Sequence, residues 1–124
     1  MKPLTLLMIG DTVSSCQQVV NLLRANGYQA EWMVEQDGVV DISDGHEVDI
    51  YFLDLLSAGR TAYEIAGKIR KLNSRSCILM GIDESVKGAR LNAFASGADN
   101  FIYSPYHSAE LLACINSLSR WIKD

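Results

Sequence analysis

Apolar residues along this 124-residue chain follow two alternating rhythms, short continuous runs and stretches at helical spacing. Leu4 to Ile9 is a continuous run after Pro3, the pattern of a strand buried on both faces. Val13, Cys16, Val19, Val20 and Leu23 then form one helical stripe, which Asp11 or Thr12 can cap and Asn26-Gly27 stops. Gln29 to Val34 reads as a second strand. Between Asp37 and Val48, Gly38, Asp44-Gly45 and a scarcity of helix formers leave room only for a short helix. Ile50 to Leu53 predicts a third strand, and Thr61 to Leu72 a helix with Ala62, Ile65, Ala66 and Ile69 on one face. Cys77 to Gly81 predicts a fourth strand, Val86 to Ser96 a helix closed by Gly97, and Asn100 to Tyr103 a short fifth strand. Ser108 to Ile122 predicts a last helix striped by Leu111, Ile115, Leu118 and Ile122.

Strands alternating with helices imply right-handed crossovers and an α/β fold, a doubly wound parallel sheet of five strands in three layers. Ligands of such sheets bind outside the carboxyl ends of the strands. Asp11 follows the first strand, Asp54 ends the third and Asp83 follows the fourth, so all three are expected at one sheet edge. Carboxylates held close repel unless a cation or a proton intervenes, which suggests Mg2+. Aspartate is also a common cap and turn residue. Spacing alone therefore leaves both readings open.

Composition narrows the classes. With 48% hydrophobic residues, 21% charged and 2 prolines, the chain is globular and is expected to form one domain over residues 1–124. No apolar stretch approaches the roughly 20 residues of a membrane span, and the N-terminus lacks a signal-peptide cleavage pattern. Cys16, Cys77 and Cys114 are far apart and odd in number, which argues against a disulfide framework and suits a reducing, cytoplasmic compartment. The net charge of -4 weighs against a nucleic-acid surface, which needs clustered Lys and Arg.

An acid after strand one, an aspartate ending strand three 43 residues later, and the segment GADNFIYSP together resemble the receiver domain of bacterial response regulators, over essentially the whole chain. DIYFLDLLSAGRTAYEIAGKIRKL is similar to that family's phosphoacceptor strand and following helix, with Gly59 matching a glycine five residues after the acceptor. SGADNFIYSPYHSAELLACINSL is similar to its fifth strand and last helix. The resemblance implies a flavodoxin-like fold with strand order 2-1-3-4-5. It implies a two-component phosphorelay role in which Asp54 accepts a phosphoryl group and Mg2+ is held by Asp11, Asp54 and the backbone carbonyl of Leu56. Beyond self-phosphorylation of Asp54 from a phosphodonor, it implies no enzyme activity.

The sequence departs from the family at the positions that would grip the phosphoryl oxygens. Ile82 stands where the family has a hydroxyl, and Ser104, seven residues beyond Gly97, where it has a lysine. Ile82 cannot donate a hydrogen bond; Ser104 brings no charge and a short reach. Gly10 replaces the first acid of the usual pair. Losing one charge-assisted contact to a buried anion costs about 1.5 to 3 kcal/mol. Phe101 matches the aromatic residue that turns inward in the family's switch. The expectation is an atypical receiver with a weakened or phosphorylation-independent switch.

The resemblance also implies partners: a histidine kinase or other signalling protein, a covalently linked effector domain, and a homodimer through the fourth helix, fifth strand and fifth helix. That surface carries Lys87, Arg90, Asp99, Tyr103, Tyr106 and Glu110, a mixture fitting either an interface or an ordinary solvated face. His46 and His107 read as surface histidines, Trp32 and Trp121 as packing or contact residues. A flavodoxin-like carrier of flavin or another phosphate ligand is the alternative, because the loop IGDTVSS offers hydroxyls and N-H groups at a helix start. Asp11 and Asp54 would repel that phosphate.

Overall fold

The structure, a computed structural model, describes residues 3–36, 48–56, 61–73 and 75–122. Their order is β1 (Thr5–Gly10), α1 (Val13–Ala25), β2 (Gln29–Val34), β3 (Ile50–Asp54), α2 (Thr61–Leu72), β4 (Cys77–Asp83), α3 (Ala89–Ser96), β5 (Asn100–Ser104) and α4 (Ser108–Ser119). All five strands pair in parallel in the order β2-β1-β3-β4-β5. This is the doubly wound, flavodoxin-like sheet expected from the sequence. The short helix expected between Asp37 and Val48, together with His46 and Gly59, falls outside the described residues.

Each strand sends alternate side chains to opposite faces, so the sheet builds two apolar layers. Leu6, Met8, Ile50, Phe52, Leu79 and Ile102 meet α1 and α4 through Cys16, Val19, Val20, Leu23, Leu111 and Ile115. Ile9, Leu53, Ile78, Met80 and Ile82 meet α2 and α3 through Ala62, Ile65, Ala66, Ile69 and Ala93. The stripes read from the sequence are the buried faces of these helices except at two places: Val13 is 48% exposed, and Ile122 lies beyond the end of α4.

Element ends are set by local chemistry. Thr12, rather than Asp11, caps α1, its hydroxyl accepting from the Ser15 N-H at 3.2 Å. The helix expected from Val86 begins at Ala89: Val86 and Ala89 close successive turns, and Gly88, in the left-handed region at φ 80°, delays helix entry. The last helix stops at Ser119, and Trp121 beyond it is 80% exposed. No helix among the described residues is long and apolar enough to cross a membrane.

The amino edge of the sheet is tied by side chains. Asp49 accepts from the Thr5 N-H at 2.9 Å and from its hydroxyl at 3.1 Å, joining β1 to the start of β3. Arg70, on the last turn of α2, donates to the carbonyls of Ser76 and Gly97 and pairs with Asp99. Asp99 in turn accepts from the Ile78 N-H at 2.8 Å. Its carboxylate thus belongs to this clamp and not, as the sequence suggested, to a free partner surface.

Candidate functional site

Period-two alternation decides which side chains share a face at the carboxyl edge. Asp54 follows Phe52 by two residues and so lies on the α1/α4 face of β3, where it ends a strand whose four preceding residues are all buried. Gly10 stands beside it in register on β1, two residues after Met8 on the same face. On the other flank Gly81, two residues after Leu79, lies on that face of β4. A Cβ at Gly81 would come within 2.7 Å of Asp54 Oδ1. A Cβ at Gly10 would come within 2.6 Å of Cys16 Sγ, a buried atom of α1. The two glycines let the carboxylate sink between the strands. With Cys16 in place, a side chain at position 10 would clash with the Cys16 sulfur.

The carboxylate is not bare. The Tyr106 hydroxyl donates to Asp54 Oδ2 at 2.8 Å, and its ring packs edge-on against Phe52 with centroids 5.7 Å apart. Burial raises the pKa of Asp54 above the ordinary carboxylate range; the Tyr106 hydrogen bond opposes that shift and the charge on Asp11 adds to it. Burial and the Asp54 charge push the Tyr106 phenol well up, so it keeps its proton and stays a donor. The Cys16 thiol is pushed up to about 11, by burial first and then by Asp54 and Asp11. It is a packing group, not a nucleophile. Asp11, half-buried at the end of β1, is therefore electrostatically coupled to both Asp54 and Cys16.

Other residues singled out in the sequence fall elsewhere. Asp83 ends β4 at the same edge, but its exposed carboxylate accepts from the N-H and hydroxyl of Ser85, at 2.9 and 2.7 Å, which hold its pKa down. It does not join the Asp11 and Asp54 pair, and the Ser85 hydroxyl is spent on it. Ile82 is 3% exposed and packs in the α2/α3 layer, opposite the face of Asp54. Phe101 packs on that same layer, in edge contact with Phe94 at 5.8 Å and Tyr103 at 5.1 Å, with the Arg90 guanidinium 5.8 Å from its centroid. Ser104, half-buried, ends β5, and its bond to Pro105 is cis.

Tyr106 is the residue that sequence reasoning misplaced. The sequence set it on the partner surface, whereas its ring packs on the α1/α4 layer and its hydroxyl reaches the acid. The only signal was a hydroxylated aromatic two residues beyond the missing lysine, with nothing to give its direction.

Among the described residues no group of three or more His, Cys, Asp or Glu side chains could hold a metal ion. Asp11, Asp54 and a main-chain carbonyl at Leu56 are nonetheless hard oxygen donors, and Mg2+ commonly takes one or two carboxylates while keeping several waters. The donor chemistry fits Mg2+ with a short set. A flavin phosphate fits poorly. The Thr12 and Ser15 hydroxyls are committed to each other at 2.8 Å and to the α1 start, and the negative charges of Asp11 and Asp54 lie near enough to act on each other.

Comparison with known proteins finds relatives and solved structures that match most of the chain. Over 116 residues the chain is 26% identical to the cell cycle transcriptional regulator CtrA of Caulobacter vibrioides, covering 92% of this chain and 49% of that protein. It is 24% identical over 117 residues to the transcriptional activator protein IrlR of Burkholderia pseudomallei, covering 93% and 50%. The chain thus spans about half the length of the curated relatives it matches. The crystal structure of the chemotaxis response regulator CheY4 of Vibrio cholerae superposes with a TM-score of 0.81 at 21% identity, covering 94% of this chain and 99% of that one. That likeness speaks for the fold. No family model matches the chain.

Two outcomes follow from the packing of the acid. Gly10→Ala should lower stability by about 1 to 3 kcal/mol through overpacking, and Cys16→Ala in the same chain should recover most of the loss, as read from urea unfolding of the two single variants and the pair. Because the Asp54 pKa is raised on folding, ionising it costs stability as pH rises from the ordinary carboxylate value through the raised one. Asp54→Asn should therefore melt a few degrees higher than the parent at pH 7. The difference should shrink as pH falls and vanish below pH ~3, where the carboxyl is protonated in both states.

Proposed function

We propose that this chain, a response regulator receiver domain by its sequence relatives and its fold, uses Asp54 as its phosphoacceptor but stabilises the phosphorylated form poorly. The seat of Asp54 carries the reading: a carboxylate at the end of a central strand, beside Asp11 and flanked by glycines, at the edge where doubly wound sheets bind ligands. In the step itself one Asp54 oxygen bonds to phosphorus as the bond from phosphorus to the donor's leaving group breaks, and the leaving group departs with the electron pair. Bound Mg2+, held by Asp11, Asp54 and the Leu56 carbonyl, would supply positive charge to both anions.

The chain's own residues give little further help. The transferred group carries about two negative charges and three acceptor oxygens. Ile82 offers it nothing, Ser104 at most a neutral hydroxyl, and the switch role of Phe101 loses the hydroxyl movement to which it would respond. Signalling therefore rests more on protein contacts than on a long-lived phosphorylated state. α3, β5 and α4 supply the supporting surface, where Val86, Leu91 and Phe94 are exposed beside Arg90 and Tyr103. Residues 1–124 act in this reading as one cytoplasmic domain, served by a histidine kinase or other signalling protein, linked to an effector domain and without turnover of a substrate.

Incubation with Mg2+ and acetyl phosphate, followed by intact-mass measurement, should show substoichiometric, short-lived phosphorylation that Asp54→Asn abolishes. Full, stable labelling, or labelling that survives Asp54→Asn, would count against the reading. For the surface, Arg90→Glu with Leu91→Glu should abolish self-association or partner binding in sedimentation experiments, with the melting temperature unchanged. Unaltered association would remove this face from the proposal.

A further inference from the structure

We infer that Tyr106 is a latch on Asp54: its phenol occupies the oxygen a phosphoryl group would take, and its release carries the state of Asp54 to the segment that starts α4. The inference rests on the acceptor role proposed above and adds a residue that role did not include. Asp54 is half-buried, and its two oxygens have different surroundings. Oδ1 fills the space that a Cβ at Gly81 would take, 2.7 Å from where that atom would stand, and Oδ2 accepts the Tyr106 hydroxyl at 2.8 Å. Formation of a bond to phosphorus needs the attacking oxygen and the donor nearly in contact and in line. Exchanging the two oxygens breaks the bond to Tyr106, and while that bond is made it occupies one lone pair of Oδ2 and weakens it as a nucleophile.

The ring has somewhere to go. Beside it lies a cavity of about 170 Å³ whose walls include Tyr106, Ser15, Gln18, Val19, Leu22 and Leu111, between α1 and α4. The ring holds its place by edge contact with Phe52 and by one hydrogen bond, whose strength depends on the charge of its acceptor. Phosphorylating Asp54 moves the charge from the carboxyl oxygen outward onto the phosphoryl oxygens and puts bulk where the hydroxyl was. Tyr106 is then displaced, and it stands only two residues before Ser108, the first residue of α4. Displacement reaches the helix start directly, without the hydroxyl that Ile82 lacks. Coupling of this kind is reciprocal, so a partner that draws the Ser104 to His107 segment outward also uncovers the acid.

Tyr106→Phe keeps the ring and removes only the latch. With Mg2+ and acetyl phosphate, Tyr106→Phe should be labelled about tenfold faster than the parent, the factor expected for one charge-assisted hydrogen bond. Independently of phosphorylation, the Tyr106 ring signal in carbon-13 NMR should shift in Asp54→Ala, and amide exchange at Tyr106 should quicken. Equal labelling rates in parent and Tyr106→Phe, or a Tyr106 signal indifferent to Asp54→Ala, would overturn the latch. Absence of labelling in both proteins, with the Tyr106 signal still responding to Asp54→Ala, would retire the acceptor role and uphold the latch as a contact that senses the carboxylate.

Discussion

Asp54 keeps its carboxylate at the end of a strand whose other residues are all buried, and its surroundings answer to the cost of desolvating that charge. The neighbouring strands give up their side chains at Gly10 and Gly81 so that the group fits. A phenol from beyond β5 supplies the donor that offsets part of the desolvation. A thiol beside it is held protonated by burial and by the two nearby acids, and so adds no charge of its own. Each of these features is separated in sequence from the others, yet all are conditions on one buried oxygen pair.

The two edges of the sheet are built differently. At the amino edge, Asp49 and the Arg70 clamp lock strands and helices together through main-chain carbonyls and N-H groups. Such links leave little freedom for relative movement. At the carboxyl edge the acid is held by one side-chain hydrogen bond from a loop, next to a cavity. The carboxyl edge thus has fewer cross-links holding its acid than the amino edge has holding its strands.

Much of this was legible in the sequence. The alternation of apolar runs and helical stripes gave the order of the elements, because strands buried on both faces and amphipathic helices leave different periods. The position of Asp54 followed from the rule for sheet edges. Asp83 was misjudged as a companion acid, since a residue's place at an edge does not fix where its carboxylate turns, and Ser85 two residues on captured it. Asp99 was misjudged for a similar reason, its partner Arg70 lying 29 residues away. Tyr106 was hidden because no periodicity governs a loop after proline; only three-dimensional closeness to Phe52 and Asp54 gave it a role. The late start of α3 turned on the backbone angles of Gly88, which composition does not specify.

The contact between Cys16 and the bare Cα of Gly10 also bears on descent. A lineage that returned an acidic side chain to position 10 would meet the sulfur before it gained any benefit. A lineage that first trimmed the sulfur would open a hole in a packed layer. Either order begins with a loss, so an acid at position 10 is reached only through a less stable single variant. The two positions are therefore tied to each other, and a change at one is tolerated best with a change at the other.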